Sequence, residues 1–214
     1  MKQRLRVTFG VAGPLRYISH LEQMGVWERA ARRAGIPLAY SQGYNPRPRM
    51  QIAAALPVGF AAERELVDMW LEVEEPISPR TAGEALSDQT PPGLTVVDVE
   101  EIDLARPAMQ TQVCAAEYAV WVEAVEPAQA VQDRVAALLA AESLPRERRG
   151  RAYDLRPLIE ALCVAPDLPA VTLLMGLTTL PGATGRPEEV LDELRLADRL
   201  FRVTRRRLAL ECEP

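Results

Sequence analysis

The sequence is poor in the side chains from which most catalytic and metal centres are built. Its 214 residues include one histidine, His20, and three cysteines, Cys114, Cys163 and Cys212. The cysteines are widely spaced, odd in number and form no C-x-x-C pair. The chain therefore lacks a ligand set of its own for a zinc site or an iron–sulfur cluster, and three reduced thiols are expected. No Ser-His-Asp arrangement can be read from it. There is no G-x-x-x-x-G-K-[ST] phosphate loop and no G-x-G-x-x-G fingerprint. Gly182-Ala183-Thr184-Gly185 lacks the Lys-Ser/Thr that would have to follow, and it reads as a turn. No apolar run approaches the ~20 residues of a membrane span. The first residues, MKQRLRVTFG, alternate polar and apolar types and lack the apolar centre of a signal peptide. A cytoplasmic protein without membrane association is expected.

What is present suits an ordinary soluble fold. Apolar residues make up 48% and charged residues 26%, enough to bury a core in one large domain or two small ones. The formal net charge of −5 hides an asymmetry. Residues 1–62 carry nine Lys/Arg against Glu22 and Glu28, a balance of +7, and the remainder carries −12. A basic segment on an acidic body sets up a directional field that can steer an anionic partner such as RNA to one face. The plainer alternative is that these arginines pair with acids from the rest of the fold.

Residues 4–11 alternate and predict a strand. Ser19 to Glu22 fits the S-x-x-E capping box, which predicts a helix from His20 to Ala34 with Leu21, Met24, Trp27, Ala31 and Ala34 as its buried stripe. Gly35 and Pro37 end it. Residues 50–58 and 65–72 read as a hairpin, 79–87 as a short helix capped by Ser78 with Pro79 at its first position, and 94–102 as a strand. The order β-α-β-β-α-β is that of the ferredoxin-like split βαβ arrangement.

The second half reads as a modified copy. Its expected elements are a strand at 117–125, a helix at 128–141 and a hairpin within 146–156 turning at Gly150. A short helix or the end of that hairpin follows at 157–164, then a strand at 170–178, a helix at 186–196 and a strand at 201–210. The expected fold class is therefore α+β, with tandem ferredoxin-like (βαββαβ) units and antiparallel sheets. Residues 1–104 would form the N-terminal domain with a basic loop and 114–214 the second unit, joined by a polar, proline-containing stretch.

Three groups of basic residues stand out. Arg29, Arg32 and Arg33 lie late on the first helix, where arginine also complements the helix dipole. The loop YSQGYNPRPRMQ (residues 40–51) has no acid. Tyr40 and Tyr44 offer faces for base stacking, Arg47 and Arg49 can fork onto phosphate oxygens, and Ser41 and Asn45 offer polar groups. Gly43 permits positive φ, and Pro46 and Pro48 lower the ordering cost of binding. The third group, Arg146 to Arg151 with Arg202 and Arg205 to Arg207, reads as a charged, solvated strand edge. Ser19 and His20 begin a capped helix, and a histidine there can contact an anion or act as an acid or base in RNA cleavage.

The runs YISHLE (residues 17–22), RAARRAGIPLAYSQGYNPRPRM (29–50) and ALPVG (55–59), with Glu65 downstream, resemble one family: an uncharacterised domain linked to radical SAM enzymes, fused to or encoded beside them. Glu22 stands where that family usually has aspartate, Arg47 where it has histidine, and Tyr44 where it has phenylalanine. The resemblance covers about residues 4–75 closely. It implies an accessory role beside a separately encoded radical SAM protein. That partner would carry the iron–sulfur cluster and S-adenosylmethionine, since this chain has no C-x-x-x-C-x-x-C motif and no cofactor is expected in it.

The leading expectation is a non-catalytic module. It would present Ser19, His20, Arg29, Arg32, Arg33, Tyr40, Ser41, Gly43, Tyr44, Asn45, Arg47 and Arg49 to a structured RNA, transfer or ribosomal. Two alternatives stand beside it: a metal-independent RNA-processing endonuclease using His20, and a protein-docking adaptor without nucleic acid.

Overall fold

The computed structural model of the protein describes residues 1–123, 127–165, 171–180 and 182–210. Val125, Ala170 and Cys212 lie outside the described residues. The chain divides into two compact units, Met1–Val113 and Cys114–Pro214.

The first unit runs β1 (Lys2–Val11), α1 (His20–Arg33), β2 (Met50–Ile52), β3 (Ala61–Glu72), α2 (Pro79–Ser87) and β4 (Leu94–Glu101). Its strand order is β4-β1-β3-β2, and each neighbouring pair is antiparallel. β1 is flanked on both edges, so its alternation sorts two kinds of buried group. Leu5, Val7, Phe9 and Val11 point to one face, where Phe9 meets Trp27 of α1 edge-to-face with ring centroids 5.0 Å apart. Arg4 and Arg6 point to the other face and are buried as well, at 1% and 3% exposure.

Their partner is Asp68 of β3, itself fully buried and opposite Arg6 in the strand register. Asp68 accepts from Arg4 Nε at 3.0 Å and Nη2 at 2.5 Å, and from Arg6 Nε at 2.8 Å and Nη2 at 3.1 Å. The spare Arg4 donors reach the carbonyls of Arg106 at 2.6 Å and Pro107 at 3.2 Å. Two of the basic residues counted in the N-terminal segment are thus buried inside the fold, where they share one carboxylate.

Local signals placed α1 well. Ser19 Oγ accepts from Glu22 N–H, and Glu22 reaches back to the Ser19 N–H at 2.7 Å. These bonds hold the Glu22 carboxyl below its ordinary range, the backbone bond contributing most. At the other end Gly35 takes φ +70°, Gly35 N–H donates to Arg32 O, and Ile36 N–H donates to Ala31 O. That is the Schellman pattern. The buried stripe is rotated from the expected one: it comprises Gln23, Trp27, Ala30 and Ala31, while Leu21 is 76% exposed.

The second unit contains β5 (Val113–Val122, starting at the boundary), α3 (Ala128–Ala140), β6 (Pro145–Arg148), β7 (Arg151–Asp154), β8 (Ile159–Val164), β9 (Val171–Leu180), β10 (Ala183–Thr184), α4 (Pro187–Glu193) and β11 (Phe201–Leu210). Its sheet runs β11-β5-β9, and both β8 and β10 pair antiparallel with β9. β6 and β7 form a separate hairpin. α3 buries Val131, Val135 and Leu138 at helical spacing. The protein is therefore an α+β protein with antiparallel sheet pairing and four α-helices among the described residues. None of those helices is long and apolar enough to cross a membrane.

Candidate nucleic-acid interface

The loop of residues 40–51 is an ordered structure built on the edge of β3. Ala39 N–H donates to Trp70 O at 2.7 Å, and Trp70 N–H donates to Arg49 O at 3.0 Å. Arg49 N–H closes the set on Ala39 O at 2.7 Å. Both legs of the loop are thereby fastened to one residue of β3. Further out, Tyr40 faces Pro48 in an antiparallel bridge, a place where proline's missing N–H costs no ladder bond. Ser41 N–H donates to Arg47 O at 2.8 Å, and Ser41 Oγ accepts from Arg47 N–H at 3.0 Å. The tip is then a five-residue turn in which Gly43 sits at φ +142°.

This geometry decides what the side chains can do. Tyr44 at the tip is 99% exposed, and Tyr40 is half-exposed. Asn45 and Arg47 are exposed too. Arg49 lies over the Trp70 ring, its guanidinium carbon 5.3 Å from the centroid, and Arg4 lies 4.7 Å from the same centroid. Arg49, Gln51, Trp70 and Leu104 line a shallow cavity of about 420 Å³ at the foot of the loop. Trp70 was missed as a site residue. The signal for it is the alternation in ELVDMWLE, which sets Asp68 and Trp70 on the face opposite Val67, Met69 and Leu71.

The other expected site residues fall elsewhere in the first unit. Ser19 spends its hydroxyl on the helix cap. His20 is half-buried, and its Nδ1 is buried with no hydrogen-bond partner among the described residues. Close to it in sequence, Arg16 lies over the Tyr17 ring, and Arg16 O accepts from Gly59 N–H at 2.6 Å. The YISH and LPVG runs are thereby joined. Arg29 and Arg33 line a groove with Val26 and the α2–β4 connection, including Asp88 and Thr90. Arg32 is exposed. Among the described residues no hydrogen bond or ion pair joins these helix arginines, Ser19 or His20 to the loop. Nor do any three His, Cys, Asp or Glu side chains cluster as a metal site among the described residues.

A family model described as "Uncharacterized protein conserved in bacteria (DUF2344)" matches residues 4–187. The chain belongs to this family. The match runs through the loop, the capped helix and most of the second unit, well beyond the N-terminal stretch in which the motifs are concentrated. No curated protein matches the chain.

Proposed function

We propose that this member of the DUF2344 family is a non-catalytic accessory module that presents the loop of residues 40–49 to a structured RNA, transfer or ribosomal. The observation that carries the reading is the loop itself: a fastened hairpin with a fully exposed tyrosine at its tip, Arg47 exposed on one leg and Arg49 over the Trp70 ring. Stacking of a base on an aromatic face is worth about 1–3 kcal/mol. A pre-ordered loop loses little entropy on binding. Burial of Arg4 and Arg6 with Asp68 removes them from the interface, so the positive field comes from Arg16, the helix arginines and the loop.

The substrate would be delivered to a separately encoded radical SAM protein that carries the iron–sulfur cluster and S-adenosylmethionine. Support for that partner is the resemblance of the YISHLE, Y-S-x-G and L-P-x-G runs. We infer on the same footing that each unit is ferredoxin-like, supported by the strand order β4-β1-β3-β2 in the first and by β11-β5-β9-β8 in the second.

The test is binding of transfer and ribosomal RNA measured by anisotropy against salt, for wild type and Arg47→Ala/Arg49→Ala. Each lost phosphate contact should lower the slope of log affinity against log salt by about 0.7–0.9, so the double variant should bind more weakly with a visibly shallower slope. No RNA binding at low salt by the wild type would sink the reading. The partner is tested by tagging the chain in its native cells and assaying the purified complex for iron, sulfide and S-adenosylmethionine cleavage.

A further inference from the structure

The second unit holds a cleft of about 890 Å³ between the β6–β7 hairpin and residues 182–186. Its volume is within the range of small-molecule sites. Arg148, Arg149, Arg151, Tyr153 and Arg186 line it, together with the Gly182–Thr184 turn. Arg148 ties the two walls together. Its Nη2 donates to Glu189 Oε2 at 2.6 Å and to Thr184 O at 3.0 Å, and its guanidinium covers the Tyr153 ring at 4.8 Å.

The sequence suggested that the 146–151 arginines are a solvated edge. The contacts divide them into two kinds. Arg146 is held by Asp192 at 2.5 Å and Glu193 at 2.8 Å, and Arg148 by Glu189. These pairs dock the hairpin on α4 and occupy Glu189, Asp192 and Glu193. The cleft's own acid, Asp154, is occupied in accepting from Leu144 N–H at 2.7 Å and Arg156 N–H at 2.9 Å. Arg149, Arg151 and Arg186 are exposed and have no carboxylate partner among the described residues. Three guanidiniums therefore face one cleft whose single lining carboxylate, Asp154, is turned to backbone N–H groups and pairs with none of them.

Both walls turn tightly. Arg149 and Gly150 both take positive φ, +53° and +75°, to turn the hairpin. Gly182 takes φ +81°, and a Cβ at Gly185 would stand 3.0 Å from Leu158 O. The glycines of the G-A-T-G run thus serve a tight turn and a close backbone approach. Tyr153 has its phenol held above the ordinary value, first by burial and then by Glu189, so it stays a neutral group in the wall.

We propose that this cleft binds adjacent phosphate groups, with Arg149, Arg151 and Arg186 as the anion-binding residues. Guanidinium forks match phosphate oxygens bidentately. The phosphates can come from a free nucleotide or from a polynucleotide chain, and this site is separate from the loop of the first unit.

Calorimetric titration with inorganic tripolyphosphate tests the proposal, using the full chain and Arg151→Ala/Arg186→Ala. Loss of a charge-assisted bond corresponds to about tenfold or more in affinity. The double variant should therefore bind at least tenfold more weakly, with an unchanged unfolding midpoint, and Arg47→Ala/Arg49→Ala should bind tripolyphosphate like wild type. Tighter binding of a nucleoside triphosphate than of a short RNA assigns the site to a free nucleotide, and the reverse order assigns it to a chain. Absence of tripolyphosphate binding at low salt overturns the proposal, as does equal affinity in the Arg151→Ala/Arg186→Ala variant or affinity no greater than for sulfate.

Discussion

Replacing Asp68 by alanine should cost the first unit most of its stability. The carboxylate is fully buried and accepts four guanidinium hydrogen bonds, two each from Arg4 and Arg6. Removing one partner of a buried ion pair costs about 3–5 kcal/mol, because the remaining charge has left water without compensation. Here two guanidiniums lose the same partner, so the expected loss lies at or above the upper end of that range. Arg4 keeps its bonds to the carbonyls of Arg106 and Pro107, which softens its share. A domain with about 5–15 kcal/mol in total would be brought close to unfolding. Urea unfolding followed by tryptophan fluorescence measures the loss. The companion variant replaces Arg4, Arg6 and Asp68 together by apolar residues of similar volume. It should recover most of the stability, since an apolar replacement of a buried ionic group is often neutral or better. A loss below about 1 kcal/mol for Asp68→Ala, with an unchanged denaturant slope, would refute the claim that the two arginines depend on this carboxylate.

Ser19→Ala should cost about 1 kcal/mol at neutral pH through the lost N-cap, measured by the same unfolding curve. Glu22 titrates below its ordinary value in the folded state, so its contribution is present at neutral pH and is lost as the pH falls through the lowered value. A Glu22→Gln variant, which keeps the geometry and cannot titrate, should accordingly show a weaker decline of stability in acid than wild type. Gly93→Ala should destabilise strongly, because its Cβ would stand 2.5 Å from Ala12 O and its φ of +93° is one that side chains resist. Circular dichroism melting checks this, and a melting point within a degree or two of wild type would contradict it. Glu189→Gln should loosen the β6–β7 hairpin by removing the Arg148 partner. Trypsin should then cleave after Arg149 or Arg151 faster than in wild type, while an equal rate would mean that α4 does not hold the hairpin.

The order of elements was legible wherever the information is local. The capping box at Ser19, Pro79 behind Ser78, the Gly150 turn and the strand at 201–210 depend on neighbours in sequence, and all appear at those positions. Side-chain fate was less legible. Arg4 and Arg6 looked like members of a basic face because their partner lies more than 60 residues away. Arg205 looked like one of a solvated row and is 2% exposed, whereas Arg202 covers the Trp121 ring at 5.3 Å and Arg207 pairs with Glu117. Leu21 fits the helical period yet faces solvent, because the packing partner Phe9 selects the Trp27 face of α1. Within the loop, residue types suggested stacking and phosphate contact. Its rigidity comes from the edge of β3, and no pattern inside residues 40–51 carries that information.

The fastening of the loop to Trp70 also bears on colloidal behaviour. An exposed strand edge offers unpaired N–H and C=O groups to any other strand, which is how folded proteins begin to aggregate. Ala39 and Arg49 occupy both backbone groups of Trp70, Pro37 O accepts from Glu72 N–H, and Pro48 offers no N–H of its own. The loop is thus a lid over the β3 edge as well as a carrier of tyrosine and arginine. Excising residues 40–49 would uncover the Trp70 N–H, and association through that bared group could be mistaken for loss of binding, whereas single side-chain replacements at Tyr44 or Arg47 leave the cover in place.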